Sequence, residues 1–349
     1  MTNFMKIDDR HIGADYPVYI VAEMSANHNR DFNQAIRIIE AAKEAGADAI
    51  KIQTFTPDTI TINVQNDFFK IKDTVWNGKN LYDLYSEAST PWDWQPKLKE
   101  AANELGLGFF STPFDPSAVD FLEKLNVPAY KVASFELVDL PLLQRIAKTG
   151  KPVIMSTGMA SLGEIREAVK VFKESGGGQI ALLKCTSAYP VPPGEMNLRT
   201  IPNLAKSFNE PVGLSDHSIG IEASIVAVAL GASIIEKHLT LSRDIKGPDS
   251  SFSSEPQELE TLVKTIRRVE KMLGKVCFEA SEHEKHSLVF RRSLFVVEDI
   301  KTNEEFTEKN VRSIRPGFGL HTRHLEEVIG CKAKAFISKG SPLDWDMIA

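Results

Sequence analysis

His217 and His238 follow or close two consecutive apolar segments, PVGLS (211–215) and SIIEKH (233–238), and Glu23 closes a third, VYIVAE (18–23). Strands that neighbour each other lie about 4.8 Å apart, which lets two imidazoles at adjacent strand ends reach one metal ion. Two histidines with a nearby carboxylate and open positions suit Mn²⁺, Co²⁺, Fe²⁺ or Zn²⁺. Taken alone, such histidines serve as readily as hydrogen-bonded core or acid–base residues. A second group, Lys51, Ser111, Thr112, Lys131, Ser134, Ser156 and Thr157, carries different chemistry. Ammonium and hydroxyl donors saturate the oxygens of a phosphate or carboxylate dianion. Any one Ser or Thr here is more often a turn or helix cap, so the joint appearance with two lysines carries the reading. No Walker motif is present, which excludes a nucleoside triphosphate held in a P-loop.

The elements that must position these residues repeat eight times from residue 18 onward. The predicted strands are VYIVAE, DAIKIQ (48–53), LGFFST (107–112), AYKVAS (129–134), PVIMST (152–157), QIALLK (179–184), PVGLS and SIIEKH, each followed by a helical stretch. FNQAIRIIEAAKEAGA has 3.6-residue periodicity and stops at Gly46; SLGEIREAVKVFKESGGG opens with Ser161 and Glu164 at capping-box spacing. Eight βα units predict an α/β fold of the TIM (β/α)8 barrel type, with the active site where the strands end. An open doubly wound sheet is disfavoured because no GxGxxG follows the first strand. Alternation places Ile50 and Ile52 outward and Lys51 and Gln53 inward; by the same rule Glu23, Ser215 and His217 have the inner parity, and the eighth strand ends in Glu236 and His238. A lysine inside a barrel requires a carboxylate or an anionic ligand beside it.

Two stretches depart from the repeat. Thr54 to Thr90 is far longer than an ordinary βα loop and carries Trp76, Leu81, Tyr82, Leu84 and Tyr85, which predicts a lid, an inserted rim helix, or both. After about Cys277 the pattern turns to short strands and turns. The predicted domains are a barrel over 1–280, a linker over 281–286 and a small β-rich domain over 287–349.

The 349 residues carry 41 Lys plus Arg against 47 Asp plus Glu, a net charge of −6, so no basic surplus invites nucleic acid. No run approaches a membrane span and the start lacks an apolar h-region, which predicts a cytoplasmic protein. Cys185, Cys277 and Cys331 are odd in number and far apart, and read as reduced core or loop thiols. A metal facing phosphate donors suggests joining a phosphorylated nucleophile to a polarised carbonyl. A Schiff-base aldolase using Lys51, Lys131, Lys184 or Lys237, and a carbohydrate-binding barrel without turnover, are the alternatives.

Several runs carry a resemblance: AEMSANH (22–28), GADAIKIQTFTPD (46–58), FFSTPF (109–114), AYKVASFE (129–136), IMSTGM (154–159), LLKCTSAYP (182–190), GLSDHS (213–218), EKHLTL (236–241) and GPD (247–249). Over essentially its full length the chain resembles the sialic acid synthase family, a TIM barrel followed by an antifreeze-protein-like (SAF) domain. The resemblance implies condensation of phosphoenolpyruvate with an open-chain N-acyl amino sugar to a nine-carbon 2-keto sugar acid. It implies that His217 and His238 hold Mn²⁺, with Co²⁺ or Mg²⁺ as alternatives, beside Glu23. Phosphoenolpyruvate would lie against Lys51, Thr112, Lys131, Ser134, Ser156 and Ser215. Gln53, Glu136, Tyr189, Asp249 and the Arg315 of a domain-swapped homodimer partner, borne on SIRPGFGL, would surround the sugar. Within the family the chain is most similar to the pseudaminic acid-forming members, through AEMSANH, LYDLYSEASTPWDW and LKCTSAYP. Sialic-type members carry Asn at Ser187 and His at Lys184, both counted here among the substrate-binding residues. That departure points away from N-acetylmannosamine and towards a 2,4-diacetamido-2,4,6-trideoxy hexose, with legionaminic acid synthesis as runner-up.

Overall fold

The eight predicted strands form a closed parallel barrel in a computed structural model that describes residues 4–349. In chain order the strands are β1 (Met5–Ile7), β2 (Arg10–Ile12), β3 (Tyr19–Glu23), β4 (Ala49–Thr54), β5 (Gly108–Pro113), β6 (Tyr130–Val132), β7 (Val153–Ser156), β8 (Ile180–Cys185), β9 (Val212–Asp216) and β10 (Ile234–His238). The barrel runs β3 to β10, and β10 pairs back onto β3. Ile20, Ala22, Ile50, Ile52, Val212 and Leu214 pack outward against the helices, while Tyr19, Val21, Ala49, Phe110, Ile154, Ala181, Leu183 and Ile234 fill the interior. Each fully buried Ile or Leu adds about 1.5–3 kcal/mol, so a one-residue slip in any strand is strongly disfavoured. That is what holds the inward parity of the polar strand ends.

The helices begin and end on the predicted signals. Phe32–Glu44 is capped by Asp31 and ends before Gly46, whose φ of +86° suits glycine. Leu162–Glu174 starts with the Ser161–Glu164 capping box. The β1–β2 hairpin is an addition to the sequence reading, its three-residue strands being too short to show a period. Met5, Ile7 and Ile12 pack with the interior residues of the barrel, and Lys6 N–H donates to Gln179 Oε1 at 2.8 Å.

The chain divides into two units, the first ending at Gly274 and the second spanning Lys275–Ala349. The second contains an antiparallel pair, β11 (Ser293–Val296) and β12 (Val311–Ile314), over a core that includes Leu294, Ile300, Phe306, Val328 and Leu343. Among the described residues no helix is long and apolar enough to cross a membrane.

Candidate active site

Register places the ionisable residues side by side. His238 pairs with Glu23 across β10 and β3, and Glu23 pairs with Lys51 across β3 and β4. The Glu23 carboxylate forms an ion pair with the Lys51 ammonium, and its Oε1 accepts from Ser25 N–H at 2.9 Å. Glu236 lies between the two lysines, 3.5 Å from each Nζ, and accepts from Ser215 Oγ at 3.2 Å. Lys51 donates to Thr112 Oγ1 at 3.3 Å and Lys131 to Ser156 Oγ at 2.7 Å. Burial acts to lower Lys51, but Glu23 and Glu236 outweigh it and hold the ammonium above its ordinary value. Lys131 is lowered by burial and by Lys51 against the pull of Glu236. Burial raises Glu23, whereas Glu236 is brought below the usual range because Lys131, Lys51 and His217 outweigh its desolvation.

With both carboxylates and both lysines ionised, these four buried groups sum to zero charge. A phosphorylated acid would therefore meet ready donors but no surplus positive charge, and burying it there requires further cations.

His217 and His238 meet as the strand ends predict, ring centroids 5.3 Å apart. The His217 Nδ1 lies 3.1 Å from the Thr186 carbonyl, which makes it the donor and leaves Nε2, once its proton is displaced, as the nitrogen open to a ligand. His238 Nδ1 is buried without a hydrogen-bond partner, and burial together with His217 drives this ring well towards the neutral form. Among the described residues no group of three or more His, Cys, Asp or Glu is arranged as a metal cage. The donors fit an open site, in which two imidazoles hold a cation whose other positions go to water and substrate oxygens.

A second chain of contacts crosses the mouth of the barrel. Gln53 Nε2 donates to Ser25 Oγ at 2.8 Å, and Ser25 Oγ donates to Asp249 Oδ2 at 2.5 Å. Burial raises the Asp249 carboxyl. Ser134 Oγ accepts from Gly158 N–H at 3.1 Å. A Cβ on Gly158 would stand 2.5 Å from Ser187 Oγ and 2.7 Å from Ser134 Oγ, so this close approach requires glycine. Tyr189 lies over His217 at 4.4 Å between ring centroids. Glu136 is half-buried with Oε2 unpaired, and burial pushes its carboxyl up to about 7.

Raised above its unfolded value of 4.5, the Glu136 carboxyl is bound more tightly by a proton in the folded protein. Its contribution is complete below pH 4.5 and is lost as pH rises to about 7. Glu136→Gln is expected to flatten the fall in Tm over that interval. An unaltered Tm–pH profile in the variant would show that Glu136 does not titrate there.

Four sequence-predicted residues of the barrel strands fall elsewhere. Lys184 has the outward parity of Leu182, and its ammonium turns to the Cys185 carbonyl at 2.6 Å and Thr186 Oγ1 at 3.1 Å. Cys185 takes the inward place on β8, where burial acts to raise the thiol but His217, Ser134 and Lys131 draw it down to about 7. Ser111 faces the helices, bonded to Thr54 Oγ1 at 2.6 Å, and Thr157 spends its hydroxyl on the Leu183 carbonyl. In each Ser–Thr pair only one member can point inward, since neighbours on a strand alternate. Arg315 belongs to the second unit; it is exposed at the end of β12, with no hydrogen bond or ion pair among the described residues. Lys237, an aldolase candidate, is buried against Asp216 at 2.9 Å on the outward face, with Ser218 and Ser224 completing the carboxylate's partners. Sequence reasoning missed Ser25, Cys185 and Phe252; only Cys185 was legible, from the alternation Ala181, Leu183, Cys185.

Residues 38–277 match the NeuB family and residues 291–349 match the SAF domain. The chain is 44% identical over 333 residues to the pseudaminic acid synthase of Campylobacter jejuni, covering 95% of this chain and 97% of that one. It is 43% identical over 334 residues to the pseudaminic acid synthase of Helicobacter pylori, covering 95% and 98%. The crystal structure of N-acetylneuraminic acid synthetase from Leptospira borgpetersenii in complex with citrate superposes with a TM-score of 0.74 at 35% identity, covering 82% of this chain and 96% of that one.

Proposed function

Because the chain belongs to the NeuB family, the sialic acid synthase family that its motifs resemble, we propose that it is a pseudaminic acid synthase acting in the cytoplasm. It condenses phosphoenolpyruvate with open-chain 2,4-diacetamido-2,4,6-trideoxy-altrose. The observation that carries this reading is the buried Glu23–Lys51–Glu236–Lys131 cluster, two carboxyls paired with two amines, set beside two imidazoles at adjacent strand ends.

In the reaction C3 of phosphoenolpyruvate bonds to the aldehyde carbon, using the electrons of the enol double bond. The aldehyde oxygen takes a proton, water adds at C2, and inorganic phosphate leaves as C2 becomes the ketone. Lys51 and Lys131, with Thr112, Ser134, Ser156 and Ser215, bind the anion and hold C3 in place. A divalent cation held by His217 and His238, Mn²⁺ with Co²⁺ or Mg²⁺ as alternatives, would polarise the aldehyde as a Lewis acid. Glu23, in register with His238, is the carboxyl placed to hold or return a proton at that end of the site. Gln53, Glu136, Ser187, Tyr189 and Asp249 position the sugar, and a cation on His217 and His238 together with Arg315 of the partner subunit would supply the surplus positive charge that the ionised cluster lacks. Lys184, with its ammonium turned to its own strand end, is left a rim residue.

Purified protein incubated with phosphoenolpyruvate, Mn²⁺ and each candidate hexose is expected to release phosphate and form a nine-carbon acid with the altro-configured sugar. Turnover confined to the legionaminic precursor or to N-acetylmannosamine would reassign the product. The lowered Lys131 favours an aldolase as second reading, and an adduct trapped by borohydride would establish it.

If Arg315 serves a partner's site, the assembly is a C2 homodimer with composite sites. Mixing His238→Ala with Arg315→Ala protein under subunit exchange is then expected to restore activity. Random mixing sets a ceiling of about a quarter of wild type, because half the dimers are mixed and half their sites are intact. Mixed dimers that form and stay silent would place Arg315 outside the partner's site.

A further inference from the structure

Residues 61–79, within the long segment after β4, are held loosely. Ile62, Phe68 and Val75 are 58%, 93% and 51% exposed. Among the described residues the one hydrogen bond that leaves this stretch for another element, apart from contacts within the 54–90 segment itself, is Trp76 Nε1 donating to the Pro248 carbonyl at 2.8 Å. The indole lies 5.5 Å from the Tyr189 ring and 6.5 Å from Phe252. Those two rings in turn pack on the histidines, Tyr189 on His217 at 4.4 Å and Phe252 on His238 at 5.1 Å. An exposed segment has thus sent one large side chain inward to form the outermost ring of an aromatic wall that begins at the histidine pair.

We propose that Trp76 is a specificity-determining residue that closes the barrel mouth on the sugar and selects an acceptor deoxygenated at the end remote from its aldehyde. The inference rests on the condensation reading given above. With the aldehyde at the histidines, an open-chain hexose extends past Tyr189 towards Trp76. The indole's only donor is already spent on Pro248, so the face it turns to the substrate offers no hydrogen bond. A methyl group gains contact there, whereas a hydroxyl loses its water and finds no partner. Because the wall is anchored by one bond and two ring contacts, it can open for entry and re-form over the bound sugar.

The test compares kcat/KM for 2,4-diacetamido-2,4,6-trideoxy-altrose with that for its 6-hydroxy analogue. Wild type is expected to prefer the deoxy sugar by up to about 10²-fold, the range an apolar pocket reaches against an added hydroxyl. Trp76→Ala is expected to cut that ratio by about tenfold through the sugar KM, with the KM for phosphoenolpyruvate within about twofold of wild type. Phe68→Ala, at the exposed crest of the same segment, should change neither. Trp76→Gln serves if the alanine variant does not fold: its amide should favour the 6-hydroxy analogue and move the ratio the same way. A ratio that stays at the wild-type value in the folded variants overturns the inference even if overall rate falls. Wild-type protein inert towards both sugars would instead count against the condensation reading, and the ratio is then measured on whichever 6-deoxy and 6-hydroxy pair the wild type accepts.

Discussion

Lys51→Ala is expected to lower kcat/KM by about 10³-fold or more and to raise the KM for phosphoenolpyruvate far more than that for the sugar. The first part of the loss is a charge-assisted contact to the anion, about 1.5–3 kcal/mol. The second comes from the carboxylates left behind. Glu23 is ion-paired with Lys51 and Glu236 lies 3.5 Å from it, so the variant strands two buried acids with Lys131 as their shared counter-charge. Breaking a buried pair on one side costs about 3–5 kcal/mol, and the stranded Glu23 is pushed further towards its protonated form by burial and by Glu236. The variant should therefore melt earlier as well. A thermal melt and separate titrations of the two substrates check both parts. A phosphoenolpyruvate KM within twofold of wild type, in protein that melts normally, would remove Lys51 from the anion site.

Replacing both His217 and His238 by alanine is expected to abolish Mn²⁺ binding and with it the condensation. Altering residues one shell out from a metal commonly costs about 10–100-fold in affinity, so the loss of an inner ligand should cost more, and this site offers two imidazoles in all. The rings differ in readiness. His238 is neutral throughout the neutral range because burial and its neighbours disfavour its charged form. Burial also acts to lower His217, but Cys185, the Thr186 carbonyl and Glu236 raise it above its ordinary value of 6.5. A metal must displace that proton, so Mn²⁺ affinity is expected to fall as pH drops below neutrality, by up to about tenfold per unit. Cys185→Ser should weaken this pH dependence by removing the sulfur that favours the imidazolium. Full activity after exhaustive EDTA treatment, or wild-type Mn²⁺ binding by the double variant, would end the metal assignment.

The eight strands were legible because each side chain in a barrel strand has only two directions, and the outward ones had to be apolar to meet the helices. Ile50 and Ile52 fixed Lys51 and Gln53 as inward; Val212 and Leu214 did the same for Ser215 and His217. Glycines and capping residues marked where helices stopped and started, because local backbone geometry and orphan amide groups demand those types. Lys184 has the parity opposite to Ala181, Leu183 and Cys185, so the same alternation already turns it away from the interior.

What the sequence could not supply is pairing across distance. Nothing in the order of residues says that Glu236 sits equally far from Lys51 and Lys131, that Lys237 is consumed by Asp216, or that Trp76 returns across more than 170 positions to Pro248. Which charges neutralise one another depends on strand register around a closed barrel, and where a long segment's one inward ring lands depends on the shape of the mouth it covers. The chain by itself determined the types of group that face the barrel interior, since hydrophobic alternation is local. Their protonation, their partners and the wall above them were decided only by the tertiary structure, because burial and Coulomb energy depend on distances in space.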